Sequence, residues 1–361
     1  MKTLVLFLLT LALIVPCAAL AEETPLRIGY ITRFEEEGGR YTLCADAFAY
    51  AAEQQGVELT VLTYDLAAKE IPEDADGEEQ PLPGMAELLQ LIDEGVDAVV
   101  LAPASLDQAV ELIGCASEAG MPIIIEGMDV SPAYPPAPEA AAGEESDPAG
   151  NRPYAAAIGY GDSAAYAAAM WLEDDAYNPQ LFHCALPQSD PAIQAGLRRA
   201  QAEASYLALV MEINANSDSA QAGSDAVDEV YNSYTTFGCV LADSAALAEG
   251  SANSVHGAGD NYPIAAISTA QEALALLENG RIDLAASTPA SVEGVQTFKL
   301  IFDYLTEGIL PETETGFVQL DAILVSRSDT TVWVADDDFE TAYALAFPES
   351  AEAEEADSAA E

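Results

Sequence analysis

"LIDEGVDAVVLAPASLDQAVELIGCASEAGMPIIIEGMDV", residues 91–130, carries the pattern that decides the fold. A helix running from about 84 is stopped by Gly95, a residue that ends helices readily. "DAVVLAP" (97–103) is wholly apolar, as a strand buried on both faces must be. Residues 105–119 predict the next helix, ended by Gly120, and Pro122 introduces a second apolar strand, "PIIIEGMD". Apolar strands separated by helices predict a parallel sheet with right-handed crossovers.

The same rhythm extends in both directions. Upstream stand the strand "LRIGYI" (26–31), a helix at about 41–55 and the strand "VELTVLTYD" (57–65). Leu43, Ala47, Tyr50 and Ala51 fall at helical spacing in that helix. Downstream, strands are expected at 155–160, 181–186, 207–213, 238–242, 263–268 and 283–288. Helices are expected at 163–173, 190–203, 220–234, 243–252, 270–279 and 292–307, and "AILVSRSDTTVWV" predicts further strand. The length suits two such α/β lobes. Two stretches break the rhythm: the acidic, Pro-containing 70–83 and the Pro/Ala/Gly-rich acidic 131–153. Neither has the apolar content to order itself, and the tail 346–361 is acidic and expected to be disordered.

The N-terminus predicts export. Lys2 precedes an apolar run at 4–15, Pro16 breaks it, and Ala19-Leu20-Ala21 gives a small-x-small cleavage pattern. The run is too short for a comfortable permanent span, so residues 1–21 read as a cleaved signal peptide and the mature chain as soluble. Lipid anchoring at Cys17 is disfavoured, because Pro16 stands where a small residue is needed. Cys44, Cys115, Cys184 and Cys239 remain; export permits disulfides, but their small apolar neighbours favour buried thiols.

With 62 acidic side chains against 11 basic ones, the net charge is -51. Such a field repels nucleic acid and anionic membranes. A phosphate-binding glycine loop and a Gly-x-Ser-x-Gly elbow are both absent. Of the two histidines, His183 lies in an apolar strand and His256 in a Gly/Asn-rich turn. Neither suits a catalytic triad, and no zinc spacing exists, so no enzyme, cofactor or metal site is expected.

Three stretches then resemble type I periplasmic binding proteins of the ribose/galactose type. These are "RIGYITRFEEEGGRYTLCADAFAYAAEQQGVELTVLTYD", the segment 91–130 and "QEALALLENGRIDLAASTPASVEGVQTFKLIFDYLTEG". The similarity covers most of 25–335 and is most specific over 91–130. It implies two Rossmann-like lobes joined by a three-segment hinge: 24–130 with 289–315, and 154–288 with 316–345. It also implies capture of a sugar-like ligand between the lobes by a monomeric extracytoplasmic protein that delivers it to the permease of an ABC importer. A sensor docking on a chemoreceptor or kinase is the alternative, and an exported enzyme on the same scaffold a more remote one.

Position by position, the resemblance implies ligand contacts at Phe34, with Arg33 and Arg40 in reach, and at Asp129 and Asp243, while Gln188 can supply a further polar group for sugar hydroxyls. It places Ser268 and Thr288 where the family carries Asp and Gln, and Gly196 where it carries Arg. Each residue has a plainer alternative. Asp243 suits a helix cap, Asp129 a turn, Phe34 the lobe surface, and the arginines suit pairing with nearby glutamates.

Overall fold

The computed structural model describes residues 25–35, 38–66, 82–131, 155–188, 190–233, 235–309, 311, 313 and 316–348. The expected signal peptide, most of the two acidic stretches and the acidic tail lie outside these residues.

Two six-stranded sheets divide the chain. The first contains β1 (Arg27–Arg33), β2 (Glu58–Tyr64), β3 (Ala98–Leu101), β4 (Ile123–Glu126), β5 (Ala155–Gly159) and β11 (Phe317–Gln319). Their order is β11-β5-β4-β3-β1-β2, and every pairing is parallel. The second contains β6 (Gln180–Ala185), β7 (Ala208–Asn214), β8 (Cys239–Ala242), β9 (Ile264–Ile267), β10 (Leu284–Ser287) and β12 (Ile323–Ser326). Its order is β12-β10-β9-β8-β6-β7, parallel except for the β10–β12 pair. The central strands β3, β4, β8 and β10 are buried at every position, which is why they read as unbroken apolar runs.

The helices follow from local signals. In the first lobe these are α1 (Arg40–Gln54), α2 (Met85–Glu94) and α3 (Leu106–Glu118). Gly95 ends α2 at φ 67°, a conformation that favours glycine. The hydroxyl of Ser105 caps α3 by accepting from the Gln108 amide. The second lobe contains α4 (Ser163–Asp175), α5 (Pro191–Glu203), α6 (Ala220–Asn232), α7 (Ala245–Ala258) and α8 (Gln271–Glu278). Ser219 and Ser244 cap α6 and α7 in the same way, and Asp190-Pro191 opens α5.

The long helix α9 (Ala290–Glu307) returns to the first lobe and packs on α1. Phe48 and Phe298 meet there edge to face at 5.2 Å, each fully buried. Full burial of such a ring contributes about 1.5–3 kcal/mol. A last helix, α10 (Phe339–Ala346), joins the same core through Ala342 and Ala346.

The lobe boundaries differ from those read in the sequence. Residues 155–159, expected to open the second lobe, form β5 of the first sheet beside β4. Residues 317–319, also expected in the second lobe, pair with β5, and α10 packs on first-lobe helices. A short apolar strand reads the same in either sheet, so the pattern does not assign it. The segment 331–334, expected to be strand, is turn and irregular chain, and His256 lies on α7, exposed to solvent. Three short segments connect the sheets: 160–162, 288–289 and 320–322. The chain passes back once more to the first lobe through 327–338.

Candidate functional site

In open α/β sheets ligands sit beyond the carboxyl ends of the strands. Here those ends are joined by the three short crossings. Arg40, opening α1 just after β1, donates from Nη1 to the carbonyl of Thr288 beyond β10 at 2.8 Å. Gln319, ending β11, donates from Nε2 to Asp162 in the first crossing at 2.7 Å. The candidate site is therefore the space bordered by strand ends of both lobes.

Both arginines of the first mouth loop are engaged internally. The Arg33 Nε lies 3.4 Å from Glu35, and its guanidinium stacks 3.5 Å above the Tyr41 ring. Glu35 also accepts from the Tyr41 backbone amide at 3.0 Å, fixing the start of α1. Arg40 donates from Nη2 to Glu293 on α9, a carboxylate that is almost wholly buried. Burial works against the Arg40 charge, but Glu293 outweighs it and raises the pKa further.

Beneath Arg40 lies a buried acidic cluster. Tyr30 donates to Glu126, and the Cys44 thiol stands 3.9 Å from Glu293. Glu126 is 1% exposed and its pKa is pushed up to about 7. Burial is the main cause and the Glu293 charge the second; hydrogen bonds from Tyr30 and Thr297 and the charge of Arg40 oppose them. Burial likewise raises the Cys44 thiol and the Tyr160 phenol.

On the second lobe, Asp243 is buried at the end of β8. Its Oδ1 lies 2.7 Å from His183 Nε2, and its Oδ2 accepts from the Leu186 amide at 3.0 Å. His183 Nδ1 lies 2.9 Å from Glu212 on β7. Burial opposes the imidazolium, but the hydrogen bonds and charges of Asp243 and Glu212 outweigh it and raise the His183 pKa. Ser244, not Asp243, caps α7.

The remaining predicted residues sit at strand ends with simpler surroundings. Phe34 is 66% exposed and is held through its amide to the Tyr64 carbonyl. Asp129 is exposed and accepts from the Ser131 amide within a turn. Gln188 is exposed beyond β6. Ser268 is half-buried beyond β9, accepts from the Ala270 amide, and borders a cavity of about 540 Å³. Asp218, Ser244, Glu249 and Glu272 line the same cavity, with no basic residue among its walls. Thr288 contributes the carbonyl that Arg40 holds.

Gly196 explains why an arginine has no place at its position. A Cβ there would stand 2.5 Å from the Asp162 carbonyl oxygen and 2.7 Å from the Tyr166 amide. The glycine lets α5 approach α4 closely. Arg199, one turn on, takes up Asp162 instead, at 2.6 Å. The sequence reading missed Tyr41, Glu126, Asp162 and Glu293. Only Glu126 carried a signal, as the one charge closing the apolar strand "IIIE".

The four cysteines of the described residues are free; Cys44, Cys184 and Cys239 are buried and Cys115 half-buried. Among the described residues no group of His, Cys, Asp and Glu is placed to hold a metal, and no helix is long and apolar enough to cross a membrane.

No family model and no curated protein matches the chain. Solved structures do. A periplasmic ribose ABC transporter protein from Conexibacter woesei superposes with a TM-score of 0.63 at 13% identity, over 85% of this chain and 94% of that one. An arabinose-binding protein from Geobacillus stearothermophilus gives 0.56 at 16%, over 86% and 100%. A Bacillus halodurans ABC transporter solute-binding protein, solved with myo-inositol, gives 0.54 at 16%, over 89% and 99%. The chain shares their fold of two Rossmann-like lobes.

Proposed function

We propose that this chain is an extracytoplasmic solute-binding protein. It captures a small polar ligand, a sugar or sugar-like metabolite, between the lobes and presents it to an ABC permease. The observation that carries this reading is the meeting of the carboxyl ends of two parallel sheets at three short crossings. That arrangement places a ligand against both lobes at once, and closure follows from hinge motion. The superposing ribose, arabinose and inositol proteins support it.

The charge distribution disfavours an anionic ligand, and the superposing ribose, arabinose and inositol proteins favour a neutral one. Arg33 and Arg40 are spent on Glu35, Tyr41, Glu293 and the Thr288 carbonyl. The cavity beside Ser268 offers carboxylates and hydroxyls. Phe34 supplies an exposed aromatic face, and Gln188, Asp129 and Ser268 supply hydroxyl partners. Asp243 and the two arginines act by holding the walls in place. Residues 1–21 direct export, and the mature protein works as a monomer without cofactor or metal.

A thermal-shift panel of ribose, arabinose and myo-inositol tests the reading. Ligand at about 100 times its Kd stabilises by about 2.7 kcal/mol, so one member raises the melting temperature by several degrees. A flat panel counts against it.

A further inference from the structure

We propose that Asp162 is the positioning residue that sets the angle between the lobes, through bonds that tie the first and third crossings together. The proposal rests on the binding function above, because the angle matters only if the cleft closes on a ligand.

Asp162 stands immediately before α4, where an aspartate ordinarily accepts from a helix amide. Its side chain makes no such cap. Its Oδ1 accepts instead from Arg199 Nη1 at 2.6 Å and Gln319 Nε2 at 2.7 Å. Arg199 belongs to α5, packed within the second lobe. Gln319 ends β11 in the first sheet and also donates to the Tyr160 carbonyl at 3.3 Å. One carboxylate oxygen thus holds a donor from each lobe.

The surroundings fix this clasp. Gly196 brings α5 against the Asp162 backbone. The Arg199 guanidinium lies 3.6 Å from the Tyr166 ring centroid, and the Tyr166 hydroxyl donates to Glu203 at 2.7 Å. The pair is only partly exposed, 35% for Arg199 and 19% for Asp162, so solvent does not fully screen it. A second tie runs between the first and second crossings, where the Tyr160 hydroxyl donates to the Pro289 carbonyl at 3.2 Å beside the Thr288 carbonyl held by Arg40, but only the Asp162 clasp reaches Gln319 at the third crossing. Hinges concentrate their motion in a few such connecting residues. Releasing the clasp leaves the lobe angle less defined. Apparent affinity then falls in proportion to the fraction of molecules competent to close.

The test compares the full chain with Asp162→Ala, Arg199→Gln and Gln319→Leu. The last removes only the first-lobe donor and leaves the Asp162–Arg199 pair. Small-angle scattering without ligand is read beside hydrogen exchange at 160–163 and 320–322, and ribose, arabinose and myo-inositol are titrated. All three variants should enlarge the radius of gyration and speed exchange at both crossings. The Asp162→Ala variant should lose affinity about tenfold, the size of a tenfold drop in the competent fraction. Asp162→Ala combined with Arg199→Gln should lose less than the product of the single losses. A wild-type radius and wild-type exchange at 320–322 in Asp162→Ala and Gln319→Leu, whatever their melting temperatures, overturns the proposal. If the wild-type chain binds none of the sugars, the binding function fails and the ligand-free scattering still decides the hinge.

Discussion

Asp243 and His183, sixty positions apart, are locked together at 2.7 Å in the second lobe, where both side chains are wholly buried. The carboxylate at the end of β8 therefore anchors a buried histidine and the Leu186 amide rather than facing open solvent. Removing one partner of a buried charged pair leaves the other uncompensated and costs about 3–5 kcal/mol. Asp243→Ala should lose about that much in urea denaturation. A loss under about 1 kcal/mol together with abolished ligand binding would instead make Asp243 a ligand contact.

The buried Glu126 predicts how stability varies with pH. Its folded pKa, about 7, lies above the ordinary 4.5. Between those values the native state holds a proton that the unfolded chain releases, so stability falls as pH rises from about 4.5 to 7 and then levels. The full effect is on the order of 3 kcal/mol. His183 acts in the same direction. Its raised pKa gives stability that is complete below the ordinary 6.5 and is lost as pH rises through the folded value. Melting temperature should therefore decline from pH 5 to 8, and Glu126→Gln should flatten the part below pH 7. An unchanged slope in Glu126→Gln would contradict the assignment.

Arg33 is held by its own loop, through Glu35 and the Tyr41 ring. Arg33→Gln should weaken binding of a neutral sugar less than tenfold, as expected for a partly exposed pair, and should lower stability by about 1 kcal/mol or less. Loss of all binding in Arg33→Gln, measured by titration calorimetry, would show that the arginine meets the ligand.

Gly196 predicts a steric penalty. Adding a methyl group places it 2.5 Å from the Asp162 carbonyl, so α5 must shift away from α4. Gly196→Ala should cost about 1–3 kcal/mol, as overpacking does, read from denaturant midpoints. A neutral substitution would mean that α5 moves freely at this contact.

The alternation of strand and helix was legible because buried parallel strands are apolar at every position, as in "AVVL" and "IIIE". Lobe membership was not. β5 and the three-residue β11 are placed by pairing with β4 and with each other, which no local pattern encodes. Within the site, Arg33 and Arg40 stood out as rare basic residues in an acidic chain. The near partner Glu35 was visible in the same loop, but Glu293 lies 253 positions away and only the packing of α9 on α1 brings it to Arg40. His183 read as an apolar-strand residue, and its two carboxylates arrive from neighbouring strands, Glu212 within β7 and Asp243 just beyond β8. Glycine at 196, read as a missing ligand arginine, is a packing requirement of the hinge.

The proposed function requires the two lobes to hold a neutral, sugar-like ligand. Calorimetric titration of the full chain with ribose, arabinose and myo-inositol, beside phosphorylated ribose and a sugar acid, tests it most directly. Saturable one-site binding of at least one neutral member and none of the anions is expected. Binding of the anions alone, or no binding across the panel, would contradict it.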